Sequence, residues 1–68
     1  SDYFTINALP IVIGEKCWLA TDVFVAPGVT IADGTVVGAR SSVFKSLPAN
    51  VVCRGNPAVV IRERVETE

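Results

Sequence analysis

Ile13-Gly-Glu-Lys-Cys-Trp18, Leu19-Ala-Thr-Asp-Val-Phe24, Val25-Ala-Pro-Gly-Val-Thr30, Ile31-Ala-Asp-Gly-Thr-Val36, Val37-Gly-Ala-Arg-Ser-Ser42 and Val43-Phe-Lys-Ser-Leu-Pro48 follow one another without a gap. Every six opens on an aliphatic residue: Ile13, Leu19, Val25, Ile31, Val37 and Val43. The second position is small at Gly14, Ala20, Ala26, Ala32 and Gly38, and breaks at Phe44. The fifth carries Cys17, Val23, Val29, Thr35, Ser41 and Leu47, small or mid-sized throughout. An amphipathic helix would repeat near ~3.6 residues, and Pro27-Gly28 and Asp33-Gly34 would interrupt it. A hairpin sheet alternates with a period of about two, but its strands need not be equal in length. A strict six means short strands with a corner after each. Three such strands close one triangular coil of about 18 residues.

Each position then has a physical task. The opening aliphatic points into the prism and stacks on its counterpart one coil away, at roughly the 4.8 Å strand spacing. The fifth residue also points inward, close to a corner where space is tight. The second is small because the backbone turns there, and glycine and aspartate at the third and fourth positions suit corner dihedrals. The expected organisation is a single all-β domain over residues 1–68, a parallel β-helix. Residues 1–12 form a partial coil or a loop, residues 13–48 two full coils, and residues 49–68 a last strand, a cap and a short helix. Val51-Val52-Cys53 reads as that strand. In Gly55-Asn-Pro-Ala58, Asn56 is a good helix N-cap and Pro57 fits the first turn, so the helix is expected from Pro57 to about Arg64, with Ala58, Ile61 and Val65 on one face. Glu66-Thr67-Glu68 is expected to fray.

The chain has 68 residues, half of them hydrophobic, and a net charge of −1. That balance gives no sign of nucleic acid or an anionic membrane as a partner. No apolar run approaches a membrane span, and Ser1-Asp2-Tyr3-Phe4 has none of the features of a signal peptide. Cys17 and Cys53 are too few for a disulfide framework, and no metal-ligand spacing is present. They read as reduced, buried thiols of a cytoplasmic protein. Two or three coils make a short prism whose open end would show strand edges and apolar side chains. The expectation is therefore further coils on the N-terminal side, or assembly with other copies.

From Pro10 to Arg64 the chain resembles the hexapeptide-repeat acetyltransferases, above all sugar O-acetyltransferases of the colanic acid, galactoside and maltose type. The residues that carry the resemblance are Pro10-Ile-Val-Ile-Gly14, Trp18-Leu-Ala20, Pro27-Gly-Val-Thr-Ile31, Val37-Gly-Ala39, Lys45, and Gly55-Asn-Pro-Ala58 followed by Val60-Ile-Arg62. The resemblance implies a left-handed coil, against the usual right-handed crossover rule. It also implies a homotrimer with acetyl-CoA in the groove between neighbouring prisms. Trp18 would pack on the pantetheine arm. Thr21 and Ala39 would offer hydrogen bonds or a close backbone approach. Lys45 would meet a phosphate and Arg62 the adenosine end, as suits a polyanionic cofactor. Two positions depart from the family: Phe44 replaces a small hydroxyl residue, and Val59 a basic one. Arg40 and Arg54 match no motif and read as solvated charges, and Phe24 and Phe44, outward by phase, as subunit contacts.

The family transfers acetyl from acetyl-CoA to a sugar hydroxyl, with a histidine as general base on a segment before Pro10-Ile-Val-Ile-Gly14. This chain contains no histidine. The resemblance would put that residue shortly before Ser1, and neither Asp2 nor Tyr3 is a convincing substitute, so no catalytic residue is assigned. A serine acetyltransferase fits the landmarks less well. A carbonic anhydrase on the same prism needs zinc held by histidines and is excluded for this chain. The competing reading is a non-catalytic trimeric β-helix scaffold or truncated remnant.

Overall fold

The computed structural model describes residues 9–65. The expectations for Ser1 to Ala8, among them Asp2 and Tyr3, and for the tail Glu66-Thr67-Glu68 lie outside the described residues. The chain winds through β1 (Val12–Ile13), β2 (Trp18–Leu19), β3 (Phe24–Val25), β4 (Thr30–Ile31), β5 (Val36–Val37) and β6 (Ser42–Val43), then two longer strands, β7 (Val51–Gly55) and β8 (Ala58–Glu63). β1 pairs with β4, β2 with β5, and β3 with β6, all in parallel. These pairs are three faces of a triangular coil, as the period of six requires.

The fourth residue of the first five sixes turns the corner. Lys16, Asp22, Gly28, Gly34 and Arg40 all have positive φ, from 58° to 82°. Corners stacked one coil apart also hydrogen-bond to each other. The Gly34 amide donates to the Glu15 carbonyl at 2.8 Å and the Arg40 amide to the Thr21 carbonyl at 2.8 Å. At one corner the Asp33 carboxylate accepts the Glu15 amide at 2.9 Å, across 18 positions of sequence, the length of one full coil.

The second coil is shorter than the sixes imply. Leu47 sits beside Ile31, and Val52 beside Val36, an advance of 16 positions instead of 18. Two residues are missing from the corner after Val43. Leu47, a fifth-position residue by phase, therefore occupies a first-position place in the stack.

Ile31 and Val37 are 0% exposed and Val43 is 1% exposed, whereas Ile13 in the preceding coil is 47% exposed. Burying each of the middle aliphatics stabilises the fold by about 1.5–3 kcal/mol. Cys53 continues the inward column through Val37 and is fully buried. The buried hydroxyls are paired, as desolvated polar groups must be. Thr35 donates to the Pro48 carbonyl, and Ser41 accepts the Gly55 amide at 3.1 Å.

The helix expected from Pro57 to Arg64 does not form. Asn56 and Pro57, joined by a cis peptide, occupy the turn of a hairpin, and β8 returns antiparallel along β7. Val59-Val60-Ile61 is a β-branched run, which favours a pleated strand over a helix. The free edge of β7 supplies the backbone partners that decide the matter. Ile61 and Val65, expected on the packed face of the helix, are exposed. The hairpin is closed by Arg64. Its amide donates to the Asn50 carbonyl at 2.9 Å, and its guanidinium to the Lys16 carbonyl at 2.8 Å and the Gly34 carbonyl at 2.9 Å.

Candidate functional site

The sheet β2–β5–β7–β8 carries two of the candidate residues, Trp18 and Arg62. Trp18, Val36 and Val52 lie side by side in the parallel ladder, and Arg62 faces Val52 across the hairpin. Residues at one register position of a sheet share a face. Trp18 and Arg62 therefore stand on the same outer surface, three strand spacings apart, or about 14 Å. Trp18 is 63% exposed, the most exposed large hydrophobic side chain among the described residues. An indole left open on a strand is a large apolar surface free to receive a partner or ligand.

Thr21 and Ala39 follow β2 and β5 at one corner of the prism. They are stacked one coil apart, and the Thr21 carbonyl accepts the Arg40 amide. Both are exposed. Lys45 stands apart from these four. It is exposed just beyond β6, at the far edge of the β3–β6 sheet. Beside it, Phe44 packs on Phe24 with ring centroids 5.8 Å apart and planes tilted by 49°. One chain thus brings together Trp18, Thr21, Ala39 and Arg62, while Lys45 lies across the neighbouring sheet.

The thiols offer no nucleophile to this surface. Cys53 is inside the prism, and burial pushes its pKa up, which keeps it protonated. Cys17 donates to the Ala32 carbonyl at 3.1 Å. Among the described residues no group of three or more side chains is placed to hold a metal ion.

Residues 10–45 match the bacterial transferase hexapeptide family (six repeats). The chain belongs to this family. The coil described above is its left-handed parallel β-helix. Among the hexapeptide relatives, a protein of Escherichia coli K12 named "Putative colanic acid biosynthesis acetyltransferase WcaF" is 94% identical over all 68 residues, which make up 37% of its length. The galactoside O-acetyltransferase of the same organism is 50% identical over 56 residues, 82% of this chain and 28% of that protein. The chain thus spans 37% of the first of these relatives and 28% of the second. In three dimensions it follows a galactoside acetyltransferase in complex with coenzyme A with a TM-score of 0.82 and 47% identity, over 87% of this chain and 30% of that one. A hexapeptide acetyltransferase of Vibrio cholerae complexed with acetyl-CoA gives the same TM-score at 34% identity, over 85% of this chain and 32% of that one.

Sequence reasoning passed over two arginines. Arg64 was legible only as the end of a helix, yet it clasps two carbonyls on stacked corners. Arg54 matches no motif, and only the register shows that it shares the outer surface with Trp18 and Arg62.

Proposed function

We propose that this chain forms the cofactor-binding part of an acetyltransferase that moves an acetyl group from acetyl-CoA to a hydroxyl of a sugar. The observation that carries the reading is the shared outer surface of Trp18 and Arg62, beside the Thr21–Ala39 corner, on a fold that follows a coenzyme A complex at a TM-score of 0.82. The indole packs along the uncharged pantetheine arm. The Thr21 hydroxyl and the Ala39 backbone meet its amides. Arg62 and Lys45 bind the phosphates by charge-assisted hydrogen bonds. Lys45 reaches the same cofactor when it comes from a neighbouring copy, so the working form is a homotrimer with the cofactor between prisms. Two free thiols and a soluble cosubstrate favour a cytoplasmic location.

In the transfer, the acceptor oxygen attacks the thioester carbonyl. The new C–O bond forms, the C–S bond breaks with coenzyme A leaving as its thiolate, and the hydroxyl proton passes through a general base to that sulfur. The chain contains no histidine, and none of its residues is assigned that role. Its own contribution is to bind and orient the thioester, which lowers the entropic cost of the encounter.

Isothermal titration with acetyl-CoA tests the proposal. Saturable binding of about one cofactor per chain is the expected result. A folded protein that takes up no acetyl-CoA would instead favour a non-catalytic trimeric scaffold, and the roles of Trp18, Lys45 and Arg62 would fall with the site.

A further inference from the structure

We propose that Arg54 is a second phosphate-binding residue of the acetyl-CoA site, acting beside Arg62 on the outer surface of the β7–β8 hairpin. The proposal rests on the cofactor reading above. Trp18, Val36, Val52 and Arg62 share one register row on the outer face of the sheet, exposed at its ends, Trp18 and Arg62, with Val36 half-buried and Val52 buried between them. Alternation turns the next residues, Leu19, Val37 and Cys53, into the prism, where Val37 and Cys53 are 0% exposed. The residues after those, Ala20, Gly38 and Arg54, turn outward again. Arg54 in turn faces Val59 on β8. A Cβ placed on Gly38 would lie 3.1 Å from the Arg54 Cβ, so the arginine stem leaves the sheet directly beside the glycine.

Two rows therefore run side by side along the prism. The first is tall, with Trp18 at one end and Arg62 at the other. The second is low, Ala20 then Gly38, and ends at Arg54. The low row is bounded by the first row on one side and by the Thr21–Ala39 corner on the other. This is a track for a thin, uncharged arm, and both guanidinium groups stand at the same end of it.

Arg54 is exposed, and its guanidinium makes no hydrogen bond or ion pair among the described residues. Arg62 faces Val52, two residues before Arg54 on β7, and a register shift separates the two pairs, so the two stems leave the sheet roughly 8 Å or more apart. Like charges at that spacing disfavour one another, and an anion between them reverses the sign. Acetyl-CoA has the matching shape: a long neutral arm with its phosphates gathered at one end. A guanidinium can grip a phosphate through two parallel N–H donors, which an ammonium cannot do.

Trp18 is the only tryptophan of the chain and reports binding by its fluorescence. The chain and its Arg54→Ala variant are titrated with acetyl-CoA, 3′-dephospho-CoA and acetyl-pantetheine. The expected result is acetyl-CoA binding weakened about tenfold or more in the variant, the loss of one charge-assisted contact. Acetyl-pantetheine, without phosphates, should bind both proteins equally, and thermal stability should not change. The double variant Arg54→Ala/Val59→Arg should recover acetyl-CoA affinity, because the two positions face each other on one surface. A penalty that persists with 3′-dephospho-CoA assigns Arg54 to the diphosphate, and one that vanishes assigns it to the 3′-phosphate; either supports the proposal. Equal acetyl-CoA affinity of chain and variant overturns it, as does an equal loss with acetyl-pantetheine. If the unaltered chain binds no acetyl-CoA, the cofactor reading itself fails, and this proposal with it.

Discussion

At the residue scale, the corners show how much a repeat can conceal. Five corners place their fourth residue at positive φ; Gly28 and Gly34 take it freely, Asp22 tolerates it, and Lys16 and Arg40 have no side-chain feature suited to it. Lys16, Asp22 and Arg40 take the same conformation with a Cβ, which costs roughly 1–2 kcal/mol each. The sequence signals a corner at the two glycines and hides it at Lys16 and Arg40, since nothing about a long cationic side chain announces a left-handed backbone. Arg40 is exposed, and its backbone amide bonds the Thr21 carbonyl whatever the side chain. Arg40→Gly should therefore stabilise the chain by about 1 kcal/mol, after allowance for the extra freedom of glycine when unfolded. A rise in the urea midpoint would show this; an unchanged or lower midpoint would mean that the arginine side chain contributes as much as its backbone costs. The site follows the same logic. Of the proposed site, Trp18, Ala39, Lys45 and Arg62 could be named as candidates from sequence because they sit in landmarks of a family, and Thr21 because it adjoins one. Arg54 was not, because its meaning comes from the Gly38 neighbour that the register puts beside it.

At the scale of elements, the coil from Ile13 to Val43 was legible because the same spatial demand recurs every six residues. Each aliphatic meets another aliphatic one turn away, so the pattern is its own confirmation. The demand changes after Val43. The next corner loses two residues, and Leu47 enters the column of Ile31. Beyond Pro57 the local signals were ambiguous, since Asn-Pro suits a helix N-cap and a hairpin turn alike. The partner that settles the choice is the edge of β7. Arg64 then holds the returning strand in place by bonding carbonyls 48 and 30 residues away. Removing it leaves the Lys16 and Gly34 carbonyls without a cationic donor. Arg64→Ala should cost about 2 kcal/mol, in line with hydrogen bonds made by charged groups, and hydrogen exchange should quicken in β8 before it does in β4 or β5. Protection that falls evenly over all strands would mean that the hairpin and the coil unfold as one unit.

At the scale of the whole molecule, a prism this short has little interior. The buried interior is the ring of Ile31, Val37 and Val43 with Leu47 and Cys53 stacked beyond it, while the outer faces keep apolar groups in view. Phe24 and Phe44 are 52% and 54% exposed, yet they already pack on each other. Aromatic rings grouped on a flat sheet offer more contact area to a second surface than scattered ones would. In the proposed trimer this pair belongs to the contact between copies, next to Lys45, and faces the neighbour's Trp18 surface. A charge placed there would have to be desolvated for copies to associate. Phe24→Asp should therefore shift sedimentation from trimer to monomer while the coil stays folded, because residue 24 points away from the core. Acetyl-CoA affinity should fall together with assembly, since Lys45 and Trp18 would no longer face each other across one groove. A Phe24→Asp variant that remains trimeric would move the contact to another face. A monomeric variant with full acetyl-CoA affinity would place the whole cofactor site on a single prism, leaving Lys45 outside it.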